Sequence, residues 1–172
     1  MLPTFKRIFA VSALVAVSLA GAAGSFAQDF LSANDLKPAK ITVPTEFEGF
    51  RILAKSDKDV TVEAIDPVRT AADGEVFNVR IKLNGSGAAD YRAIGFTAKE
   101  KAKIVVYLNS SSKTDARVLK LTGSGGAVIA ELSAPPDDGV KAGIATAEIP
   151  VAGDYLIFSA GSGINVYQIL IE

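Results

Sequence analysis

Residues 39–172 form a succession of short runs rich in Val, Ile, Phe and Tyr, each cut off by Gly, Asp, Asn, Ser or Pro. No window in this stretch sustains apolar residues at i, i+3, i+4 and i+7, so helix content should be small. The runs fall at 40–43, 49–55, 59–64, 76–83, 91–97, 103–109, 117–121, 128–132, 143–149, 155–160 and 165–171. Even spacing with repeated turn signals predicts an all-β domain, a two-sheet antiparallel β-sandwich or jelly roll.

Alternation within the runs supports this. In VFNVRIKL, Phe77, Val79, Ile81 and Leu83 should share one face, with Asn78, Arg80 and Lys82 on the other. Pro135-Pro136-Asp137-Asp138-Gly139 is the strongest loop signal, because two prolines cannot both sit in a ladder and Asp-Gly favours a turn. Gly123-Ser124-Gly125-Gly126 reads as a hairpin turn; no helix follows it to cradle a phosphate. Gly161-Ser162-Gly163, between two β-rich runs, reads as a closing hairpin.

The N-terminus stands apart from this pattern. Lys6 and Arg7 precede an apolar stretch too short for a confident membrane span, and Ser25-Phe26-Ala27 supplies small residues where a signal peptidase reads. Residues 1–27 are therefore expected to be a signal peptide, 28–38 a polar lead-in, and 39–172 one β-sandwich domain. The protein is expected to be exported, to the periplasm, the cell surface or the medium, with no membrane insertion after cleavage. Setting aside 27 of the 172 residues leaves 145, enough for one hydrophobic core. Such a domain must rely on that core, because the chain has no cysteine. Of 18 basic and 19 acidic residues, Lys6 and Arg7 leave with the signal. The slightly acidic remainder offers no electrostatic footprint for nucleic acid.

The chain has no histidine, which removes the commonest general base, the Ser–His and Cys–His pairs and the usual zinc sites. Paired carboxylates remain as catalytic equipment. Most acids stand in turns (Asp57, Asp59, Asp73, Asp90, Asp115, Asp137, Asp138, Asp154), where local hydrogen bonding accounts for them. Glu46 and Glu48, two apart, are the pair that could share a face. The expectation is no enzyme and no cofactor, with a structural calcium held by loop acids left open. There is no tryptophan, and the four tyrosines each fall inside a run, so a flat aromatic platform for crystalline cellulose or chitin is not expected.

The basic residues are more suggestive. Arg80 and Lys82 share a sheet face, Arg92 follows a Gly/Ala turn, and Arg117 opens a strand after a serine-rich loop carrying Lys113. Such cations serve solubility, or they form a row matching uronic acid carboxylates, with arginine giving bidentate geometry. Spacing alone leaves both readings open.

Six segments in one order carry a resemblance: FEGFRILAKS (47–56), VRIKLNGSG (79–87), YRAIGFT (91–97), IVVYLNSSS (104–112), RVLKL (117–121) and SAGSGINVY (159–167). Together they resemble the small carbohydrate-binding-module-like β-sandwich domains appended to secreted bacterial pectate lyases and related glycan-degrading enzymes. The resemblance implies a domain that binds a polysaccharide, an acidic pectin-like one, without cutting it. It puts ligand binding on Arg80, Lys82, Arg92 and Arg117, with Asn165 and Tyr167 in the closing motif. The same positions could instead be fold markers paired with acids such as Asp90 and Asp115. Such modules ride on a catalytic domain, whereas here the module is expected to make up nearly the whole exported chain. A glycan is thus the expected partner; the alternative is a structural or interaction subunit of the bacterial cell envelope with a protein partner.

Overall fold

The computed structural model describes residues 29–172; residues 1–28, with the expected leader and its cleavage point, lie outside the described residues. The elements in order are β1 (Asp29–Ser32), a 3-10 turn (Ala33–Asp35), β2 (Ala39–Ile41), β3 (Thr45–Phe47), β4 (Phe50–Leu53), β5 (Val60–Thr70) and β6 (Val76–Leu83). Then come β7 (Ala93–Ala98), β8 (Ala102–Ser110), β9 (Arg117–Gly123), β10 (Val128–Ala134), β11 (Gly143–Ile149), β12 (Gly153–Ser159) and β13 (Ile164–Ile171). They build two antiparallel sheets, one ordered β11-β8-β13-β6-β5-β2 with β1 also on β13, the other β10-β9-β12-β7-β4-β3. This is the expected all-β sandwich.

The two inner faces interdigitate. Ile52, Ile94, Leu119, Leu121 and Ile157 of the six-stranded sheet meet Ile81, Leu83, Ile104, Val106, Leu108, Val166 and Ile169 of the seven-stranded sheet, all fully buried. Burying each such side chain contributes about 1.5–3 kcal/mol, the main term opposing chain entropy.

A second buried cluster lies outside the sandwich, on the outer face of the seven-stranded sheet. It contains Ala71, Phe77, Val105, Tyr107, Ala142 and Tyr167. Val105 and Tyr107 alternate along β8 with the inner Ile104 and Val106, so they must point outward. Phe77 stacks on Tyr167 with ring centroids 5.3 Å apart and meets Tyr107 at 5.2 Å. Phe77 thus leaves the face expected for it alongside Val79, Ile81 and Leu83. The end of β5 and the loop 135–142 cover this cluster: Thr70 N–H donates to the Val140 carbonyl at 2.9 Å, and Ala142 N–H to the Thr70 carbonyl at 3.1 Å.

Two further differences have physical causes. The stretch 28–38, expected to be a lead-in without periodicity, contributes β1. β13 pairs β6 over its first residues, Ile164–Val166, and β1 over its last, Gln168–Ile171. Asn34 stitches the place where β6 loses its neighbour: its Oδ1 accepts from Asn78 N–H and Val79 N–H at 3.0 and 3.2 Å, and its Nδ2 donates to the Val76 carbonyl at 2.9 Å. Backbone groups otherwise left bare are satisfied this way.

The closing hairpin is also corrected. β12 lies in the six-stranded sheet and β13 in the seven-stranded one, so Gly161-Ser162-Gly163 carries the chain from one layer to the other. Packed sheets lie about 10 Å apart, a gap that three or four extended residues span. A Gly/Ser link marks a turn in the chain; it does not say which strand the next run will pair with. By contrast the 123–126 turn is a true hairpin, closed by Gly126 N–H on the Gly123 carbonyl at 2.9 Å, with β10 paired to β9.

Candidate ligand-binding surface

The crossover at 161–163 helps to create a polar hollow on the molecule's seven-stranded side. Lys82 and Asn84 at the end of β6, Gly85, Ser111 after β8, Arg117 at the start of β9, and residues 161–163 enclose a depression of about 460 Å³. Arg117 belongs to the six-stranded sheet yet reaches the other layer. Its Nη1 donates to Ser111 Oγ at 2.6 Å and to the Gly163 carbonyl. Gly163 is required for this approach, since a Cβ there would lie 2.7 Å from Ser111 Oγ and 3.2 Å from the Leu83 carbonyl.

Asn84 is fixed by its Nδ2, which donates to Thr61 Oγ1 at 2.9 Å and Asp59 Oδ2 at 3.0 Å. Arg92 approaches from behind the same turn. Its backbone is left-handed, with φ 46°, an uncommon state for a residue with a side chain. Its Nε donates to the Asp59 carbonyl at 3.3 Å, and its Nη1 lies 2.8 Å from where a Cβ on Gly85 would stand. Gly85, at φ 148°, thus leaves room for the guanidinium beside the depression.

The expected cations divide. Arg80 donates to Glu63 Oε1 through Nε at 2.9 Å and Nη2 at 2.5 Å, and Lys82 Nζ lies 3.7 Å from the same oxygen. Arg92 and Arg117 take part in no ion pair among the described residues; their partners are carbonyls and a hydroxyl. No acid lines the depression, so the Arg117 guanidinium meets no carboxylate there, while Arg92 lies behind the Gly85 wall. Arg80 is paired with an acid, Glu63, as a fold marker would be, whereas Arg92 and Arg117 pair with neither Asp90 nor Asp115. Asp90 receives Lys55, and Asp115 accepts from Ser112 Oγ at 2.9 Å.

Asn165 and Tyr167 are placed otherwise than expected. Both are wholly inaccessible, so neither presents an atom to a ligand in this structure. Asn165 instead holds the 135–139 loop, with Nδ2 3.4 Å from Asp137 Oδ2; its cross-strand neighbour Asn109 donates to the Pro135 and Pro136 carbonyls at 3.4 and 3.2 Å. Burial pushes the Tyr167 hydroxyl above the usual phenol range, with Asp137 adding to the effect.

A second depression, of about 520 Å³, adjoins the first and shares Ser111 with it. Its walls carry Arg69, Arg80 and Lys113 together with Asp66, Asp137 and Asp138. Arg69 and Asp137 form a buried pair, Nε to Oδ1 at 2.7 Å and Nη2 to Oδ2 at 3.1 Å. Asp138 is held below the usual carboxylate range by the N–H groups of Lys141 and Val140.

Glu46 and Glu48 border different hollows, Glu46 one of about 330 Å³ over Gly95 and Glu48 another of about 260 Å³ with Asp29. The two hollows adjoin, sharing Gly49, Phe50, Phe96 and Thr97, but neither is lined by both glutamates. Among the described residues no group of three or more His, Cys, Asp or Glu could hold a metal ion. The loop acids instead accept local donors: Asp73 from Tyr107 at 2.6 Å, Asp154 from Thr97 at 2.6 Å, and Asp59 and Asp138 as above. Three of the four tyrosines are buried; Tyr91 is half-exposed with Lys55 Nζ 5.3 Å over its ring.

Sequence reasoning missed Asn84, Gly85, Ser111 and residues 161–163, which it read as turns alone. The signal was present, since each of these residues lies inside a segment of the resemblance. It missed the Arg69–Asp137 pair because nothing links residues so far apart in the chain before the fold is known.

The architecture is a two-sheet antiparallel β-sandwich, and chains of similar fold are found among solved carbohydrate-binding structures. A chain from the Ruminococcus flavefaciens cellulosome, solved in work on its expansion in glycan recognition, covers 84% of this chain and 92% of its own, with TM-score 0.52 and 15% identity. Clostridium stercorarium CsCBM6-3, in complex with cellobiose, covers 83% and 92% with TM-score 0.42 and 8% identity. The carbohydrate-binding module CBM36, in complex with calcium and xylotriose, covers 83% and 98% with TM-score 0.40 and 15% identity. The likeness to the cellulosome chain is one of fold. Neither a protein-family model nor a curated protein matches the chain.

Proposed function

We propose that this chain is an exported, non-catalytic carbohydrate-binding protein, and that its ligand is an acidic, pectin-like polysaccharide. The observation that carries this reading is the pair of arginines, Arg92 and Arg117, held beside an open polar depression without an acidic partner. Guanidinium groups desolvated in part and bonded only to carbonyls and a hydroxyl retain their charge for a carboxylate, which they receive in bidentate geometry. Lys82, shared with Glu63, adds a third donor on the same wall. The fold, shared with a cellulosome chain described for glycan recognition, and the segments resembling pectate-lyase-associated modules favour the same class of ligand. The absence of histidine and cysteine, and a depression at Arg117 lined by no acid, support binding without turnover. The export half of the reading rests on residues 1–27 and their resemblance to a secretory signal.

A shallow, exposed site of this sort binds in the range of about micromolar to millimolar, since few contacts offset the ordering of a flexible chain. The test is affinity electrophoresis and calorimetry with polygalacturonate against a neutral glucan. Binding should be confined to the acidic polymer, should weaken as salt rises, and should fall about tenfold or more in Arg117→Ala and Arg92→Ala. No glycan affinity at any salt, with specific co-purification of another exported protein, would instead support the envelope-subunit alternative.

A further inference from the structure

The two depressions over the seven-stranded sheet are joined and differ in charge. Ser111 lines both, and Glu63 holds one cation from each, Arg80 from the second and Lys82 from the first. The first depression presents Lys82 and Arg117 with no acid, and Arg92 lies behind its Gly85 wall. In the second, Arg69 is consumed by Asp137 and Arg80 by Glu63, which leaves Lys113 facing Asp66 and Asp138. Asp66 is exposed, and among the described residues no hydrogen bond or ion pair occupies its carboxylate. A second uronate carboxylate seated beside Asp66 would meet like charge, since two carboxylates, Asp66 and Asp138, stand there against the single Lys113 amine, whereas a hydroxyl or a methyl ester would not.

We infer that the two depressions form one groove with two unlike subsites. The Arg117 subsite takes a uronate carboxylate, and the Asp66 subsite takes an uncharged neighbouring sugar of the same chain. The ligand class this selects is a polymer in which acidic and neutral units adjoin, such as a partly methyl-esterified uronan, rather than a uniformly charged one. The inference rests on the acidic-glycan reading of the first depression and adds a specificity to it.

Two like charges about 4 Å apart in water repel enough to change an affinity about fivefold. The experiment is calorimetry at low salt with fully de-esterified and partly methyl-esterified polygalacturonate, compared at equal concentration of free carboxylate, for the natural chain and for Asp66→Asn. The natural chain should bind the partly esterified polymer about fivefold more tightly. Asp66→Asn, with an unchanged melting temperature, should bring the de-esterified polymer to within about twofold of it. Equal or tighter binding of the de-esterified polymer by the natural chain would overturn the unlike subsites and leave the Arg117 subsite standing. A preference untouched by Asp66→Asn would overturn the role given to Asp66, and no binding of either polymer would overturn both readings.

Discussion

The inner face of the seven-stranded sheet is buried throughout, its outer face only around Phe77, Tyr107 and Tyr167, and the two are buried by different means. The inner face is covered by another sheet and needs only aliphatic side chains in alternation. The outer face is covered by loops, so it carries backbone and polar groups that must be paired under cover. The Arg69–Asp137 pair and the donor bonds of Asn109 and Asn165 to the 135–139 loop serve that need. The difference explains where function can live. Flat apolar packing offers nothing to a polar ligand, whereas loops tied down over a sheet leave hollows with polar walls.

The largest expected effect that would break this comparison is at Asp137. Asp137→Ala strands the Arg69 guanidinium under the loop and should cost about 3–5 kcal/mol in denaturant unfolding, much of it recovered when Arg69 is also replaced by methionine. On the inner face, Leu108→Ala should cost about 2–5 kcal/mol. The comparison is sharpened by a second readout. Asp137→Ala should also weaken glycan binding by releasing a wall of the groove, while Leu108→Ala, at equal fraction folded, should leave it unchanged. Equal effects of both on binding would show that the two faces are not separable.

Gly163→Ala comes next. The added methyl must displace Ser111 Oγ or the backbone near Leu83, at about 1–3 kcal/mol, and with it the bond from Arg117. Polygalacturonate affinity should fall as far as in Arg117→Ala. Retained affinity would detach Arg117 from the site.

How much of this was legible in the sequence differs between the same two faces. The alternation of β6 fixed Val79, Ile81 and Leu83 as inner residues, and Arg80 and Lys82 as outer ones, as observed. Asn165 and Tyr167 were given a ligand role by the resemblance of the closing motif, and a motif does not say whether the sheet face that carries it is open. The run INVYQILI is nearly continuous in apolar character, as is IVVYL in β8, and such runs mark strands covered on both sides. That cue was available. The partners of Arg117 were not, because they come from two loops of another layer, and only the three-dimensional path of the 161–163 crossover brings them together.

The smallest expected effect lies at the rim of the outer cluster. Tyr107 donates to Asp73 and holds its carboxyl below the usual carboxylate range. A carboxylate whose acidity is strengthened by folding stabilises the fold above its unfolded value, near 4, and loses that contribution as pH falls through its folded value. The melting temperature of Tyr107→Phe should therefore lie below that of the natural chain at neutral pH and approach it below about pH 4. A gap that stays constant with pH would mean that ring packing, not the bond to Asp73, sets the difference.

Arg117 rises from one sheet and grips the loop that enters the other. A sugar chain held by Arg117 and Lys82 together therefore touches both layers at their seam. On the proposed function, any force or fluctuation that slides the layers apart would first have to release the ligand, so a glycan bound there would act as a rivet. Its binding free energy adds to mechanical resistance in the direction of shear between the sheets, and amide protons on β9 and on β6 should slow their exchange together when the ligand is present.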